Sequence, residues 1–109
     1  MSWSVRYLPD VEKDMRSLSP TQQRTVRKAI LKVKENPLPQ SEGGYGKPLG
    51  NKQGMNLTGF LKIKLRGEGL RVVYQLIRKD GHMLAVVVGV REDEEVYQIA
   101  RKRKEKYRL

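Results

Sequence analysis

Lys62, Lys64 and Arg66 stand at alternate positions in Phe60-Leu61-Lys62-Ile63-Lys64-Leu65-Arg66. Successive side chains of a β-strand point to opposite faces. As a strand, this stretch sends the three cations to one face and Leu61, Ile63 and Leu65 to the other. Gly67-Glu68-Gly69 can turn the chain, and Leu70 to Ile77 can return beside it as a hairpin carrying Arg71. Four cations then crowd one small sheet, with Glu68 the single acid among them. Like charges at this spacing repel, so the strand does not gather them for stability. Two readings stand side by side: a solvated, charged face, or a cradle for phosphates.

With Arg91 and Tyr97 added, the set suits phosphodiester cleavage in RNA. That reaction needs no protein nucleophile, because the 2′-hydroxyl can attack the adjacent phosphorus. It needs a proton acceptor at the 2′-oxygen, positive charge at the pentavalent phosphorus and a donor for the leaving 5′-oxygen. A lysine can be the acceptor if its pKa of about 10.4 is pushed down, and neighbouring cations push that way. Arginine forks suit charge building up on phosphate oxygens. Tyr97 offers a flat ring on which a base can stack.

Other chemistries lack their residues. The 109-residue chain has no cysteine and one histidine, which excludes a disulfide scaffold and the usual nitrogen and sulfur metal ligand sets. No clustered carboxylates suit magnesium, since Glu92 to Glu95 reads as a first helical turn. No phosphate-binding glycine loop and no serine elbow are present. His82 follows the Asp80-Gly81 turn and is expected in solvent. Metal and cofactor are both expected to be none.

The charge balance agrees with a phosphate-rich partner. There are 23 Lys and Arg against 12 Asp and Glu, a formal net charge of +11, and the pI is about 10.1. That is the electrostatic footprint of a nucleic-acid binder, although an acidic protein would also satisfy it. No apolar run approaches the ~18 residues that span a bilayer, and Met1 to Arg6 has no apolar signal core. No membrane association and a cytoplasmic location are the expectation.

The elements that must position these residues follow in order, as one domain over 1–109. Trp3 to Leu8 reads as a strand. Pro9 opens a helix with Val11, Met15 and Leu18 on one face. Ser19-Pro20-Thr21-Gln22 forms a capping box for a second helix. Val26, Ala29, Ile30 and Val33 make its apolar stripe, with Arg24, Arg27, Lys28, Lys32 and Lys34 opposite. Asn36-Pro37 ends it. Pro37 to Asn56, rich in proline and glycine, reads as a loop that closes over a sheet edge or simply tethers, with Lys47 and Lys52 adding charge. Leu57 to Arg66 and Leu70 to Ile77 form the hairpin. Met83 to Val90 reads as a buried strand in the middle of the sheet. Val96, Ile99 and Ala100 predict a short third helix, and Arg101 to Arg108 a basic tail that is a frayed helix end rather than an RNA contact. The fold class is α+β: a small, mainly antiparallel four-stranded sheet against an N-terminal helical hairpin, with a short C-terminal helix, β-α-α-β-β-β-α.

Phe60 to Arg66, then Gly69-Leu70-Arg71-Val72-Val73-Tyr74-Gln75, Val88-Gly89-Val90-Arg91 and Glu95-Val96-Tyr97, together resemble the RelE family of toxins. The opening strand, the Pro9 helical hairpin, Asn36-Pro37-Leu38-Pro39 and Lys47-Pro48-Leu49 extend the resemblance over nearly the whole chain. It implies a ribosome-dependent mRNA endonuclease of a type II toxin–antitoxin module. Cleavage in the A site would be metal-independent, leaving a 2′,3′-cyclic phosphate and a 5′-hydroxyl. Position by position, it implies general-base and phosphate-orienting work for Lys62 and Lys64, and transition-state stabilisation by Arg71. It implies donation to the leaving oxygen by Arg91, stacking by Tyr97 and a further basic contact at Arg66. It implies partners as well: a cognate RelB-like antitoxin, the ribosome and mRNA, with a free monomer that becomes a hetero-oligomer when inhibited. The loop from Gln40 to Met55 is longer and more glycine-rich than the family pattern. A ParE-like gyrase inhibitor and a non-catalytic RNA-binding module are the alternatives.

Overall fold

Residues 82–90 are apolar almost throughout because the strand they form is covered on both faces. A computed structural model describes residues 3–52, 54–65, 69–90 and 92–109, with the side chains of Lys52 and Asp93 outside the description. The order is β1 (Ser4–Tyr7), α1 (Pro9–Arg16), α2 (Pro20–Val33), β2 (Lys47–Lys52), β3 (Met55–Lys64), β4 (Leu70–Ile77), β5 (His82–Val90) and α3 (Asp93–Tyr107). Short 3₁₀ turns occupy Gln40–Glu42 and Arg78–Asp80. The five strands lie in the order β1-β5-β4-β3-β2. All neighbours are antiparallel except β1 and β5, which are parallel.

The α+β class holds, with five strands in place of the expected four. The additional strand is β2, inside the stretch expected to be loop. Its Pro48 lacks an N–H to donate, which an edge strand tolerates. Its register against β3 slips between Pro48 and Gly50. β5 is interior, flanked by β1 and β4, while β4 holds the middle place.

The helices start where their caps dictate. Ser19 Oγ accepts from the Gln22 N–H at 3.1 Å, and Gln22 Oε1 accepts from the Ser19 N–H at 3.0 Å, closing the capping box. From there Val26, Ile30 and Val33 are buried, each stabilising by about 1.5–3 kcal/mol. Val33 packs with Leu61, Tyr74 and Met83. The basic residues Arg24, Arg27, Lys28 and Lys32 face solvent, as the stripe predicts.

α3 differs from expectation. It runs 15 residues, and its basic end is ordered helix through Tyr107. The cause is a buried-edge problem. β1 covers β5 only from His82 to Ala85, and the next backbone groups need partners. Asp14 Oδ2 accepts from the Val88 N–H at 3.0 Å, and Arg103 Nη1 donates to the Val86 carbonyl at 2.8 Å. The two side chains then pair with each other through both forks, at 2.7 and 2.9 Å. An ion pair between α1 and α3 thus finishes the sheet edge and pins the helix end.

His82 is also not where the sequence suggests. It is 7% exposed, because β1 lies alongside with Ser4 opposite His82. The Ser4 N–H is donated to the Gly81 carbonyl at 3.2 Å. A turn residue becomes an interior one through a partner 78 positions away.

Candidate active site

Strand register gathers the cations. Lys62 on β3 lies across from Lys47 on β2, and Lys64 lies across from Arg71 on β4. Directly opposed residues of an antiparallel pair share a face with Cβ atoms about 4.5–5.5 Å apart. Lys47, Lys62, Lys64 and Arg71 therefore form a patch three strands wide at one end of the sheet. Lys47 and Lys64 are exposed, and Arg71 is half-buried. Arg71 Nη1 donates to the Gly69 carbonyl at 2.9 Å, which draws its guanidinium back over the end of the hairpin. Arg66 and Arg91, both expected at this site, lie outside the described residues, and Lys52 is on β2 with its side chain outside the description.

Lys62 is 8% exposed. Its Nζ donates to the Tyr97 hydroxyl at 2.7 Å and sits 5.3 Å from the ring centroid. Those two distances place the ammonium end-on beyond the hydroxyl, so the contact is a hydrogen bond and not a cation over the ring face. Tyr97 itself is 5% exposed. Its ring belongs to the same core as Val96, Ala100, Phe60 and Val73. In this arrangement α3 packs the Tyr97 ring inward, and its hydroxyl edge borders the basic patch. The sequence signal missed this because the inward face of α3 is set by its docking on the sheet, a long-range effect.

The stretch between α2 and β2 supplies what sequence reasoning did not single out. Tyr45 is 46% exposed, and with Gln40, Lys47, Lys62, Ile63 and Lys64 it lines a cleft of about 310 Å³. The segment is fixed by backbone bonds. The Tyr45 N–H is donated to the Asn36 carbonyl at 3.1 Å, Gly46 N–H to Leu38 carbonyl at 3.0 Å, and Gln40 N–H to Gly46 carbonyl at 2.8 Å. The Tyr74 hydroxyl donates to the Pro37 carbonyl at 2.7 Å, and its burial pushes its pKa up. A Cβ on Gly46 would stand 2.2 Å from that hydroxyl and 2.5 Å from Leu61 Cδ2. Arg78 grips Glu42 with both forks, at 3.1 and 2.7 Å. Only an aromatic between two glycines beside Lys47 hinted at this wall of the site.

The arrangement offers positive charge and an open aromatic around one cleft, with the Tyr97 hydroxyl bonded to Lys62 behind it. Among the described residues, no three His, Cys, Asp or Glu side chains come together in a way that could hold a metal ion, and no helix is long and apolar enough to cross a membrane.

No protein-family model matches the chain. Among known proteins, a RelE-like toxin protein of Escherichia coli is 33% identical over 103 residues, 94% of this chain and 98% of the relative. The mRNA interferase toxin RelE of Escherichia coli K12 is 34% identical over 91 residues, 84% of this chain and 85% of the relative. Of solved structures, a double arginine-to-alanine variant of E. coli toxin RelE in the free state superposes with a TM-score of 0.72. That match has 30% identity and covers 94% of this chain and 98% of the other. The toxin chain matched in the intact E. coli RelBE toxin–antitoxin complex gives 0.63 at 26% identity, over 84% of this chain and 99% of that one. Sheet order, helix placement and basic face together describe a small α+β toxin domain. The chain belongs to the RelE toxin family.

Proposed function

We propose that this protein is the toxin of a type II toxin–antitoxin pair and cleaves mRNA in the ribosomal A site without a metal ion. The relative named mRNA interferase supports the substrate. The observation that carries the reading is the register that sets Lys62 opposite Lys47 and Lys64 opposite Arg71. A phosphodiester seated on that patch meets cations from three strands, the charge distribution that a pentavalent phosphorus requires.

In this reading Lys64 takes the 2′-hydroxyl proton; its exposure and its place across from Arg71 support that role. The 2′-oxygen attacks the adjacent phosphorus, and negative charge gathers on the non-bridging oxygens beside Arg71 and Lys62. The bond from phosphorus to the 5′-oxygen breaks, and that oxygen takes up a proton from Arg91 or from solvent. A 2′,3′-cyclic phosphate and a 5′-hydroxyl remain. Lys62, held by the Tyr97 hydroxyl, acts as a fixed positive charge. Few of these groups are ordinary acids or bases near neutral pH, so substrate geometry supplied by the ribosome carries much of the catalysis.

The partners follow from the family. RelB accompanies RelE in the E. coli complex, and a RelB-like antitoxin is the inhibitor proposed here, with a free monomer becoming a hetero-oligomer in the cytoplasm. The net charge of +11 favours acidic partners and makes RNA binding fall steeply with salt.

Primer extension on a defined mRNA tests this, with purified protein, programmed 70S ribosomes and a no-ribosome control. Discrete cuts within the A-site codon are expected only with ribosomes, and are expected to vanish in Arg71→Ala and Lys64→Ala while folding is retained. Full activity in both variants would sink the assignment. Ribosome binding without scission in the parent protein would make the patch a docking surface.

A further inference from the structure

The cleft beside the basic patch has the makings of a base-binding site, and its aromatic is Tyr45. We infer that Tyr45 is the stacking platform for an unpaired nucleobase of the RNA whose phosphates lie on Lys47, Lys62 and Lys64. This deepens the nuclease reading and rests on it.

Three observations support the assignment. The first is exposure. Tyr45 is 46% exposed whereas Tyr97 is 5% exposed, so Tyr45 presents the more open of the two rings. The second is placement. Tyr45 lines the same cleft of about 310 Å³ as Lys47, Lys62 and Lys64, with the Gln40 amide at its side. A cationic groove with an aromatic in its wall is how single-stranded nucleic acid is held: charge tracks the backbone, and the ring takes the base. An amide in reach of a stacked base can bond its polar edge, which gives the site a means of choosing among bases.

The third is rigidity. An exposed ring on a loose loop loses entropy when it stacks, but Tyr45 sits on a segment already tied down. Its own N–H is bonded to Asn36, and the flanking glycine N–H groups are bonded to Pro39 and Leu38. Gly44 approaches Leu38 so closely that a Cβ there would stand 2.0 Å from the Leu38 carbonyl oxygen. The Lys32 ammonium lies 5.5 Å from the Tyr45 ring centroid, holding the ring and adding positive charge behind it. A ring prepared in this way is the arrangement expected of a binding residue. A buried aromatic would serve the core equally well, yet this one is held outward.

The test uses a 2′-O-methylated mRNA carrying 2-aminopurine at successive positions of one codon. It is bound to the full-length protein with and without programmed 70S ribosomes. Stacking on a tyrosine quenches 2-aminopurine, a readout that does not depend on cleavage. The parent protein and Tyr45→Phe should quench at one position. Tyr45→Ala should lose that quench and weaken RNA binding about ten- to a hundredfold, with thermal stability unchanged. In a parallel arm with unmodified mRNA, Tyr45→Ala should redistribute the cut sites among codons. Equal quench, affinity and codon pattern in Tyr45→Ala would overturn the inference and leave the nuclease reading intact. Quench that depends on Tyr45 without scission of unmodified mRNA would overturn the nuclease reading and leave the stacking role. Absence of RNA binding by the parent protein, with ribosomes and without, would overturn both.

Discussion

Asp14→Ala removes more than a charge. Asp14 closes one open backbone need and one ion pair at once. Its Oδ2 takes the Val88 N–H at 3.0 Å, and its two oxygens hold the Arg103 guanidinium at 2.7 and 2.9 Å. The side chains of Arg103 and Asp14 are 14% and 15% exposed, so water replaces little of what is lost. Leaving the Val88 N–H without an acceptor costs about 1–3 kcal/mol. Stranding one member of a fully buried ion pair costs about 3–5 kcal/mol. Arg103 keeps the Val86 carbonyl and an Asp10 oxygen at 3.5 Å, which discounts that figure. A total of about 3 kcal/mol is expected, or a fall in Tm on the order of 10–20 °C for a domain of this size. Asp14→Asn keeps an acceptor for Val88 but loses the charge and one of the two oxygens that accept from Arg103, so a smaller cost than that of Asp14→Ala is expected. Urea melts and thermal melts followed by circular dichroism measure both. A loss under about 0.5 kcal/mol for Asp14→Ala, the scale of an ordinary surface change, would refute the claim that this pair completes the sheet.

Three more outcomes can be checked. Asp10 is held below its usual carboxylate range, first by the hydrogen bond from the Tyr107 hydroxyl and then by Lys106. The folded state thus releases that proton more readily than the unfolded one. Its contribution is present above about pH 4 and lost as pH falls below, so Tm should drop on acidification and drop less in Asp10→Asn. Gly46→Ala forces a methyl to within 2.2 Å of the Tyr74 hydroxyl; a destabilisation of about 1–3 kcal/mol is expected in urea, with the Tyr74–Pro37 bond the first to yield. Tyr97→Phe removes one hydrogen-bond acceptor of the Lys62 ammonium; single-turnover cleavage on programmed ribosomes should slow, with stability lower by about 1 kcal/mol.

Local signals in the sequence carried far. Pro9, Ser19-Pro20-Gln22 and Asn36-Pro37 set helix ends by chemistry that acts within a few residues, and α1 and α2 start where they indicate. The alternation at Lys62, Ile63 and Lys64 gave the face of β3, and the hairpin partner gave Arg71 its place. What remained hidden depends on distant partners. Lys47 to Lys52 has the glycine and proline of a loop and becomes a strand only because β3 offers a free edge. His82 is interior only because β1 lies against it. Tyr97 turns inward because the far end of its helix is fastened to α1 through Arg103. Nothing near these residues announces such a fate.

The parallel joining of the first strand to the fifth also orders events in time. Asp14 and Arg103 are 89 residues apart, and Asp10 and Tyr107 are 97 apart. Contacts of such separation form late, since the loop between them must close first. During synthesis at about 5–20 residues per second, α2 and the β2–β4 meander leave the ribosome while β1 still has no neighbour. The lysine patch acquires its tyrosine hydroxyl only after α3 has emerged. On the nuclease reading proposed above, a chain wired this way is expected to lack a complete site while the ribosome is still making it, and to gain it on release. Nascent chains stalled before residue 93 clears the exit tunnel should be protease-sensitive and inactive, and release of the completed chain should restore both resistance and cleavage.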